Sequence, residues 1–372
     1  MRLFIVFGTR PEAIKMAPVV KAFQADPAFE TIVCVTGQHR EMLDQVLTLF
    51  SIVPDIDLAI MKPRQSLTDV TVATLSGLEA RFATDAPDAV LVHGDTTTAM
   101  AAAMAAFYAG IPVGHVEAGL RTGDMAAPWP EEMNRSVIDL VARWLFAPTA
   151  TAAEALRNEG AAEEHIVVTG NTVIDALLAV VARLRDDPSL RSACDAKFAM
   201  LDPGKRLIVV TGHRRENFGG GLERMCEALA RLARRGDVEI VYPVHLNANV
   251  QEAANAVLSD TPAVHLIEPL DYLPFVRLMD RAHLIISDSG GIQEEAPSLG
   301  KPVLVTRDVT ERPEAIAAGT ARLVGTDTDR IVAEAARLLD DEAEYQRVSA
   351  ISNPYGDGRA AARIVEAMKY AR

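Results

Sequence analysis

The sequence predicts an α/β protein built from two doubly wound, Rossmann-like domains. Short apolar runs alternate with helical stretches along the 372 residues, and the runs fall into two groups. Continuously apolar runs of this kind are typical of parallel strands covered by helices on both faces. Two sets of six strands fit two domains better than one very wide sheet. The predicted strands are Leu3–Phe7, Thr31–Val35, Ala89–His93, Val113–Val116, Trp144–Ala147 and Ile166–Thr169, then Leu207–Thr211, Glu239–Pro243, Val264–Ile267, Leu284–Ser287, Pro302–Val305 and Ala321–Val324.

The boundary between the domains is predicted near Gly170. It gives an N-terminal domain over residues 1–170 and a C-terminal domain over residues 171–358. The charged segment Arg183–Arg206 lacks a strand pattern and contains prolines, so we interpret it as helix and loop that open the second domain.

The end of the chain is predicted to be helical. Residues 353–358 are rich in helix breakers, and the composition of Ala360–Tyr370 then favours a helix. We expect this C-terminal helix, residues 359–372, to pack back on the first domain.

Composition and charge restrict the class of function. A hydrophobic content of 49% and a charged content of 24% are ordinary for a soluble globular enzyme. The net charge of −14 argues against nucleic acid or an anionic membrane as a partner, although local arginines can still bind a small anion. The apolar N-terminus ends at Gly8, too early for a signal peptide, and no apolar run approaches the roughly 20 residues of a membrane span. We therefore expect a cytoplasmic protein.

Cysteine usage and glycine motifs argue against several cofactors. The three cysteines, Cys34, Cys194 and Cys226, show neither a disulfide framework nor the spacing of zinc ligands. Cys34 lies in an apolar strand, where we interpret it as a core residue. The dinucleotide fingerprint Gly-x-Gly-x-x-Gly and the Walker A loop are both absent from the sequence, which argues against NAD and ATP. We expect no metal and no cofactor.

The segment Ser287–Glu295 is the most informative of the chain, because it places a Ser-Gly-Gly sequence where a buried strand turns into a helix. The first backbone N–H groups of a helix have no intrahelical partner, and the helix dipole favours an anion there. Gly290 and Gly291 allow a phosphate to approach the backbone closely. The following Glu294 and Glu295 indicate that the ligand also carries hydroxyl groups. The alternative is a tight turn that needs glycine only for its geometry.

Three carboxylates follow strand ends or a proline-rich loop in the N-terminal domain: Asp95, Glu117 and Glu131. Ligands of open α/β sheets bind beyond the carboxyl ends of the strands, so we expect these acids to gather there and to perform acid–base chemistry. Singly, each has the alternative role of a helix N-cap or a surface acid, and the capping alternative is strongest for Asp95, because a helix begins near Thr96. We expect Arg135 to pair with one of the acids and to keep it ionised.

Cationic side chains also follow strand ends. Arg10 and Lys15 lie near the start of the first predicted helix, available to an anion, although Lys15 is as easily solvated as bound. His213 follows the first strand of the second domain, next to Arg214, and neighbouring cations are expected to lower its pKa. We favour a phosphate contact for His213 over a structural role. Arg312 can make a forked contact with phosphate.

The run Leu270–Phe275 is aromatic and suits a flat base. Its alternative is ordinary packing of Tyr272 and Phe275 in a helix, and the sequence does not decide between the two.

Six segments together resemble the non-hydrolysing UDP-N-acetylglucosamine 2-epimerases, in order and nearly end to end. They are Gly8–Lys15, His93–Thr96, Gly114–Thr122, Pro130–Arg135, Gly212–Glu216 and Ser287–Pro302. The resemblance implies a glycosyltransferase-B-like fold, with two domains facing across a cleft and UDP held mainly by the second. It also implies reversible conversion of UDP-N-acetylglucosamine to UDP-N-acetylmannosamine, a homodimer, and supply of a precursor for bacterial surface polysaccharide.

The resemblance further implies roles for individual residues. Asp95, Glu117 and Glu131 form the acid–base group, with no assignment of each to a step, and His213 assists the leaving UDP. The residues expected to contact UDP are Arg10, Lys15, Leu270, Phe275, Ser289, Gly290, Gly291, Glu295 and Arg312. Some family members bind a second UDP-N-acetylglucosamine as an activator, and the candidates for that pocket are Gln45, Arg214 and His245.

Three other functions remain open at this point. They are a retaining glycosyltransferase of the same fold, a hydrolysing epimerase that releases UDP and free N-acetylmannosamine, and a nucleotide-sugar sensor without catalysis. The three acids of the first domain favour epimerisation over transfer, because a transferase need not place several carboxylates around C2 of the sugar.

Overall fold

A computed structural model describes residues 1–37 and 40–370 of the chain. The chain divides into two compact units, here called unit 1 (Met1–Ala176 with Tyr355–Arg372) and unit 2 (Leu177–Pro354). The predicted boundaries at residues 170 and 358 therefore fall within six residues of these divisions, since the units change at 176 and at 354.

Unit 1 contains, within the described residues, a parallel sheet of seven strands in the order β3-β2-β1-β4-β5-β6-β7. The strands are β1 (Arg2–Phe7), β2 (Glu30–Val35), β3 (Ile56–Asp57), β4 (Ala89–His93), β5 (Val113–Val116), β6 (Trp144–Ala147) and β7 (Ile166–Val168). The helices are α1 (Arg10–Gln24), α2 (Arg40–Leu49), α3 (Leu67–Asp85), α4 (Thr97–Tyr108), α5 (Glu131–Val141), α6 (Ala150–Asn158), α7 (Thr172–Asp186), which runs past the unit boundary, and the C-terminal Ala360–Tyr370.

Unit 2 contains, over the same described part of the chain, a parallel sheet of six strands in the order β10-β9-β8-β11-β12-β13. The strands are β8 (Arg206–Thr211), β9 (Val238–Pro243), β10 (Val264–Ile267), β11 (Leu284–Ser287), β12 (Val303–Val305) and β13 (Ala321–Leu323). The helices are α8 (Pro188–Ala196), α9 (Gly221–Ala233), α10 (Ala248–Leu258), α11 (Tyr272–Arg281), α12 (Gly290–Glu295), α13 (Pro313–Ala318), α14 (Thr328–Asp340) and α15 (Glu342–Ser349), so the C-terminal helix is α16.

The predicted fold class is confirmed, with one correction. All twelve predicted strands are present, but unit 1 has a seventh, β3, which pairs with β2 through Cys34 and Val35. This strand has only two residues, and its second residue is Asp57. An apolar run cannot mark so short and polar an edge strand, so the sequence pattern missed it.

Apolar residues cover both faces of each sheet, as the continuous runs predicted. In unit 1 the core on one face includes Phe7 of β1 and Phe23 of α1, and α16 joins it through Ile364 and Met368. The C-terminal helix thus packs on the first sheet, while Ala371 and Arg372 lie outside the described residues. Cys34 is fully buried in the core on the other face, which confirms its packing role.

The order of the strands fixes where ligands can reach each sheet. In unit 1 the strands before and after the pair β1 and β4 are added on opposite sides of that pair, and in unit 2 the same holds for β8 and β11. Connections diverge at such a switch point and leave a crevice beyond the carboxyl ends of the two strands. Every catalytic residue predicted from the sequence follows β4, β5 or β8, or begins α5.

Two further features of the described residues concern membrane insertion and metal binding. None of their helices is long and apolar enough to cross a membrane. Residues 1–37 and 40–370 contain no group of three or more His, Cys, Asp or Glu side chains able to hold a metal ion.

We predict that Gly119→Ala destabilises unit 1 much more than Gly123→Ala. Both glycines have positive φ, +82° and +77°, so both substitutions meet the left-handed cost of about 1–2 kcal/mol. Only at Gly119 would the new Cβ lie 2.3 Å from a backbone oxygen, that of Ala152, which adds an overpacking cost of about 1–3 kcal/mol. Urea denaturation monitored by circular dichroism checks this, and equal midpoints for the two variants would contradict it.

Candidate functional site

Glu117 lies at the centre of the polar cluster in unit 1. It follows β5, and its side chain is buried, 9% exposed. Its Oε2 accepts a hydrogen bond from the Lys15 ammonium and another, 2.9 Å long, from Nδ2 of Asn171. Its backbone has a φ of +71°, a left-handed conformation that costs a non-glycine residue of order 1–3 kcal/mol and is concentrated at functional sites. The fold therefore holds this carboxylate in one place.

Lys15 reaches Glu117 because α1 begins at a fixed point. The Glu12 carboxylate accepts hydrogen bonds from the backbone N–H groups of Gly8 and Thr9, at 3.0 and 2.7 Å, and from the Thr96 hydroxyl at 2.7 Å. This capping arrangement joins the start of α1 to the loop after β4. Burial raises the pKa of Glu12, while the hydrogen bonds oppose that shift. The structure thus gives Lys15 a carboxylate partner, in addition to the UDP contact predicted for it. Arg10 is the first residue of α1.

Asp95 lies in the loop between β4 and α4 and pairs with Arg135 of α5, whose Nη2 donates to Oδ2 at 2.7 Å. The capping alternative is wrong, because Thr96 is the N-cap and its hydroxyl accepts from the Ala99 N–H at 3.0 Å. The predicted pairing with Arg135 is confirmed. The guanidinium lowers the pKa of Asp95, as expected, but burial has the larger effect and raises that pKa above its usual value.

Glu131 and Glu132 have different surroundings at the start of α5. Glu131 is half-buried, and its charge contributes to the raised pKa of Asp95. Glu132 is buried, and its Oε1 accepts hydrogen bonds from the backbone N–H groups of Thr122 and Gly123, each at 2.9 Å. The second acid therefore holds the loop before α5, and the first is the one that shares a site with Asp95.

His115 is a buried residue that the sequence analysis missed. Its Nδ1 lies 2.5 Å from an Asp139 oxygen, and its Nε2 lies 2.8 Å from the carbonyl oxygen of Gly94. Asp139 also accepts from the Gly119 N–H at 3.1 Å and pairs with Arg121. Burial would raise the pKa of Asp139, but His115 and Arg121 together lower it. The His115–Asp139 pair fixes the loops after β4 and β5. The sequence pattern that could have indicated it is a histidine inside an apolar strand.

His93, the last residue of β4, faces Glu117 with its Nε2 3.9 Å from Oε2. Its ring is buried, and neither nitrogen has a hydrogen-bond partner among the described residues. Burial lowers the pKa of His93 to about 3, against the opposing effect of Glu117. The ring is therefore neutral at physiological pH.

Asp288 organises the polar loops of unit 2. It follows β11 and is fully buried. Its Oδ2 accepts hydrogen bonds from the backbone N–H groups of His213 and Arg214, each at 2.8 Å, and from Nδ2 of Asn217 at 3.3 Å. The loop after β8 is thus tied to the end of β11, the neighbouring strand. Asp288 belongs to the segment Ser287–Glu295, but the sequence predicted no role for it.

His213 is partly exposed above this carboxylate. Its Nδ1 lies 3.5 Å from Oδ1 of Asp288, and its ring stacks on that of His245, with 5.3 Å between centroids and 17° between planes. Burial is the main cause of its lowered pKa, His245 and Arg214 lower it further, and Asp288 opposes them. The predicted direction is confirmed, although the neighbouring cations are not the main cause.

Two guanidinium groups lie beside Gly290, at the turn between β11 and α12. A Cβ added at Gly290 would lie 3.7 Å from Cζ of Arg312 and 3.9 Å from Nη2 of Arg214. Ser289 is the N-cap of α12, and Gly290 and Gly291 are its first residues, so their N–H groups precede the intrahelical bonds. The Arg312 guanidinium is oriented by Glu294, because its Nε donates a hydrogen bond to that carboxylate. This salt bridge gives Glu294 a structural partner that the sequence did not predict.

The remaining predicted residues of unit 2 lie near the same helix or on α11. Glu295 is buried and accepts a hydrogen bond of 2.7 Å from the Tyr272 hydroxyl, while burial raises the pKa of Tyr272 well above its usual value. Phe275 on α11 and Leu270, just before that helix, are both half-buried. Among the proposed activator residues, Arg214 and His245 both adjoin His213, whereas Gln45 is exposed on α2 of unit 1.

Comparisons with known proteins agree with this description. A family model described as UDP-N-acetylglucosamine 2-epimerase matches residues 21–369. The UDP-N-acetylglucosamine 2-epimerase of Escherichia coli strain K12 is 60% identical over 370 residues, covering 99% of this chain and 98% of the relative. The crystal structure of the Neisseria meningitidis enzyme bound to UDP-GlcNAc gives a TM-score of 0.91 at 49% identity, covering 99% of this chain and 100% of that one. The S. aureus MnaA–UDP co-structure gives 0.87 at 45% identity, covering 99% and 96%.

These structural neighbours place the two Rossmann-like units in the class of glycosyltransferase-B-like epimerases. The chain belongs to the UDP-N-acetylglucosamine 2-epimerase family, whose members are isomerases. The resemblance seen in the sequence is therefore confirmed at the level of family and fold.

We predict that Asp288→Asn lowers the pKa of His213 further below its usual value. The Asp288 carboxylate is the group that favours the imidazolium form, so its removal leaves burial, His245 and Arg214 unopposed. Arg214→Gln is the matched variant and should raise the pKa. Titration of the histidine Cε1–H resonances by NMR, with His213→Gln for assignment, checks both directions. A His213 pKa that rises in Asp288→Asn would contradict this description of the site.

Proposed function

We propose that this protein catalyses the reversible C2 epimerisation of UDP-N-acetylglucosamine to UDP-N-acetylmannosamine without net hydrolysis. The observation that supports it best is the buried Glu117 carboxylate, held at the end of β5 by Lys15 and Asn171, with Asp95 close enough for its pKa to respond to the Glu117 charge. A relative of the same fold is bound to UDP-GlcNAc. A family member with acids at these strand ends is suited to proton transfer on that substrate.

The chemistry requires a departing diphosphate as well as a base. The proton on C2 of the sugar is too weak an acid for a carboxylate to remove directly. Departure of UDP from C1 builds positive charge on the ring and acidifies C2, and loss of the proton gives 2-acetamidoglucal. Protonation of C2 from the other face and re-addition of UDP give the epimer. The two proton transfers need acid–base groups on different faces, and the leaving diphosphate needs cations and N–H donors.

We assign the proton transfers to Asp95, Glu117 and Glu131. The raised pKa of Asp95 favours its protonated form and suits it to proton donation. Glu117 accepts hydrogen bonds from Lys15 and Asn171 and suits the role of an oriented base. His213 assists the leaving UDP, and its lowered pKa supports a neutral ring that donates a hydrogen bond.

We assign UDP binding mainly to unit 2. The Arg312 guanidinium beside Gly290, with the first N–H groups of α12, supports a diphosphate site. Glu295 is proposed for the ribose hydroxyls, with Phe275 and Leu270 near the uracil. Further proposed contacts are Arg10, Lys15, Ser289 and Gly291, and the proposed activator pocket comprises Gln45, Arg214 and His245.

Assembly and location remain proposals as well. Large apolar side chains are exposed at the ends of two neighbouring helices of unit 1: Phe107 and Tyr108 of α4, and Leu140 of α5. Exposed apolar surface supports the homodimer that the resemblance implies. A monomer in sedimentation equilibrium at micromolar concentration would contradict the homodimer. The cytoplasmic location and the supply of a surface-polysaccharide precursor rest on the sequence alone.

The function is tested with UDP-N-acetylglucosamine in deuterated water. We expect deuterium at C2 of the recovered nucleotide sugar, because each epimerisation replaces that proton with one from solvent, and we expect Glu117→Gln to abolish the exchange while UDP still binds. If the wild-type protein incorporated no deuterium at C2, epimerisation would be excluded as its function. Transfer of sugar to an acceptor would then favour the glycosyltransferase, and binding without turnover the sensor. Near-stoichiometric free UDP together with free N-acetylmannosamine would identify the hydrolysing epimerase.

We predict that Arg312→Ala weakens UDP binding by about 1.5–3 kcal/mol, the range for hydrogen bonds to charged groups. Glu294→Gln is the informative comparison, because it keeps Arg312 but removes the carboxylate that orients its guanidinium, and we expect a smaller loss. Isothermal titration calorimetry with UDP measures both. An unchanged affinity in Arg312→Ala would exclude this arginine from the diphosphate site.

A further inference from the structure

We propose that Asn171 is a positioning residue for Glu117, a role that rests on the proposed function and on Glu117 as one of its acid–base groups. Asn171 is buried, and its Nδ2 donates a hydrogen bond of 2.9 Å to Oε2 of Glu117. No step of the proposed reaction needs Asn171 to touch the sugar. Its contribution is to fix the orientation of the carboxylate plane.

The orientation of the Asn171 side-chain amide is fixed at its other end. Oδ1 accepts a hydrogen bond of 3.0 Å from the Val173 N–H in the first turn of α7. The amide therefore presents its N–H₂ group to Glu117, because the reversed orientation would place two acceptors face to face and leave the Val173 N–H opposite a donor. Asparagine supplies both an acceptor for the helix and a donor for the carboxylate, which neither aspartate nor serine does at neutral pH with the same reach.

The backbone of Asn171 is fixed as well. Its N–H donates to the carbonyl oxygen of Tyr355 at 2.7 Å, which joins the segment that leaves unit 1 to the segment that returns to it. Gly170 and Gly356 have φ of +88° and +136° at this contact, and a Cβ on Gly356 would lie 3.4 Å from Cα of Gly170. The positive φ at both positions favours glycine, and Asn171 is anchored where the two segments pass.

The other neighbours of Glu117 differ in kind. Lys15 from α1 brings a positive charge, the neutral His93 ring of β4 lies 3.9 Å away, and the carboxylate of Asp95 is close enough to interact electrostatically. Asn171 brings a directional donor without charge. Lys15 thus neutralises the buried carboxylate, while Asn171 together with the strained backbone of Glu117 sets its direction.

The test is Asn171→Asp in the full-length protein. This substitution keeps an oxygen for the Val173 N–H and replaces the donor to Glu117 by a second oxygen. We expect kcat for epimerisation to fall by about tenfold or more, the loss that corresponds to a hydrogen bond to a charged group. We expect KM, the UDP dissociation constant and the melting temperature to stay close to wild type, because Asn171 is not among the proposed UDP contacts and the helix cap remains.

The pH profile separates positioning from a structural defect. A protonated carboxyl group at position 171 again carries an O–H donor for Glu117, whereas the ionised form repels it. We therefore expect kcat of Asn171→Asp relative to wild type to rise as the pH falls. A ratio that is constant across the pH range would overturn the proposal, as would a kcat within about twofold of wild type at neutral pH.

Two further variants control for folding and for charge. Asn171→Ala removes both contacts and should lose kcat at unchanged KM with a lower melting temperature, so it replaces Asn171→Asp if that variant does not fold. Asn255→Asp adds the same charge at an exposed position of α10 and should behave as wild type. Deuterium exchange at C2 by the wild-type protein is measured first: its absence defeats the proposed function, whereas normal exchange with an unimpaired Asn171→Asp defeats only the role of Asn171.

Discussion

A carboxylate that leaves water loses several kcal/mol of hydration, so it is stable inside a protein only beside cations or N–H donors. The carboxyl edges of both sheets meet that requirement with groups of the same unit. Glu117 accepts hydrogen bonds from Lys15 and Asn171. Asp288 accepts them from two backbone N–H groups, and Glu294 accepts one from Arg312. Hydrogen bonds consequently hold the loops beyond the strands where the chemistry needs fixed groups, and the cations lie beside the carboxylates that bind them.

The same requirement explains why neighbouring acids have different roles. Glu12 and Glu132 each accept hydrogen bonds from two backbone N–H groups through one carboxylate oxygen, and each holds a loop. Asp95 has one guanidinium partner, and burial still raises its pKa. Burial thus favours the protonated form of Asp95 more than that of an exposed aspartate, which suits a proton donor. The hydrogen-bond partners thus separate acids that maintain the fold from acids available for reaction.

Local patterns in the sequence predicted what depends on neighbours in the chain. The apolar runs located twelve strands, and the Ser-Gly-Gly sequence located the turn at Gly290. The partners of the buried groups could not be predicted in this way, because Lys15 is 102 residues from Glu117 and Asn171 is 54 residues from it. Only the packing of α1 on the sheet and the path of the chain after β7 bring them together. The effect of burial on the pKa of Asp95 could not be predicted for the same reason, since burial at that point is a property of the tertiary structure.

The central claim is that the acids held at the carboxyl edge of the unit 1 sheet act on C2 of the sugar. A crystal structure of this protein with UDP-N-acetylglucosamine tests it most directly. The account predicts a carboxylate oxygen of Asp95, Glu117 or Glu131 within about 3.5 Å of C2, with Lys15 and Asn171 still bonded to Glu117. A sugar whose C2 lies beyond even a water-mediated contact with all three carboxylates would contradict it.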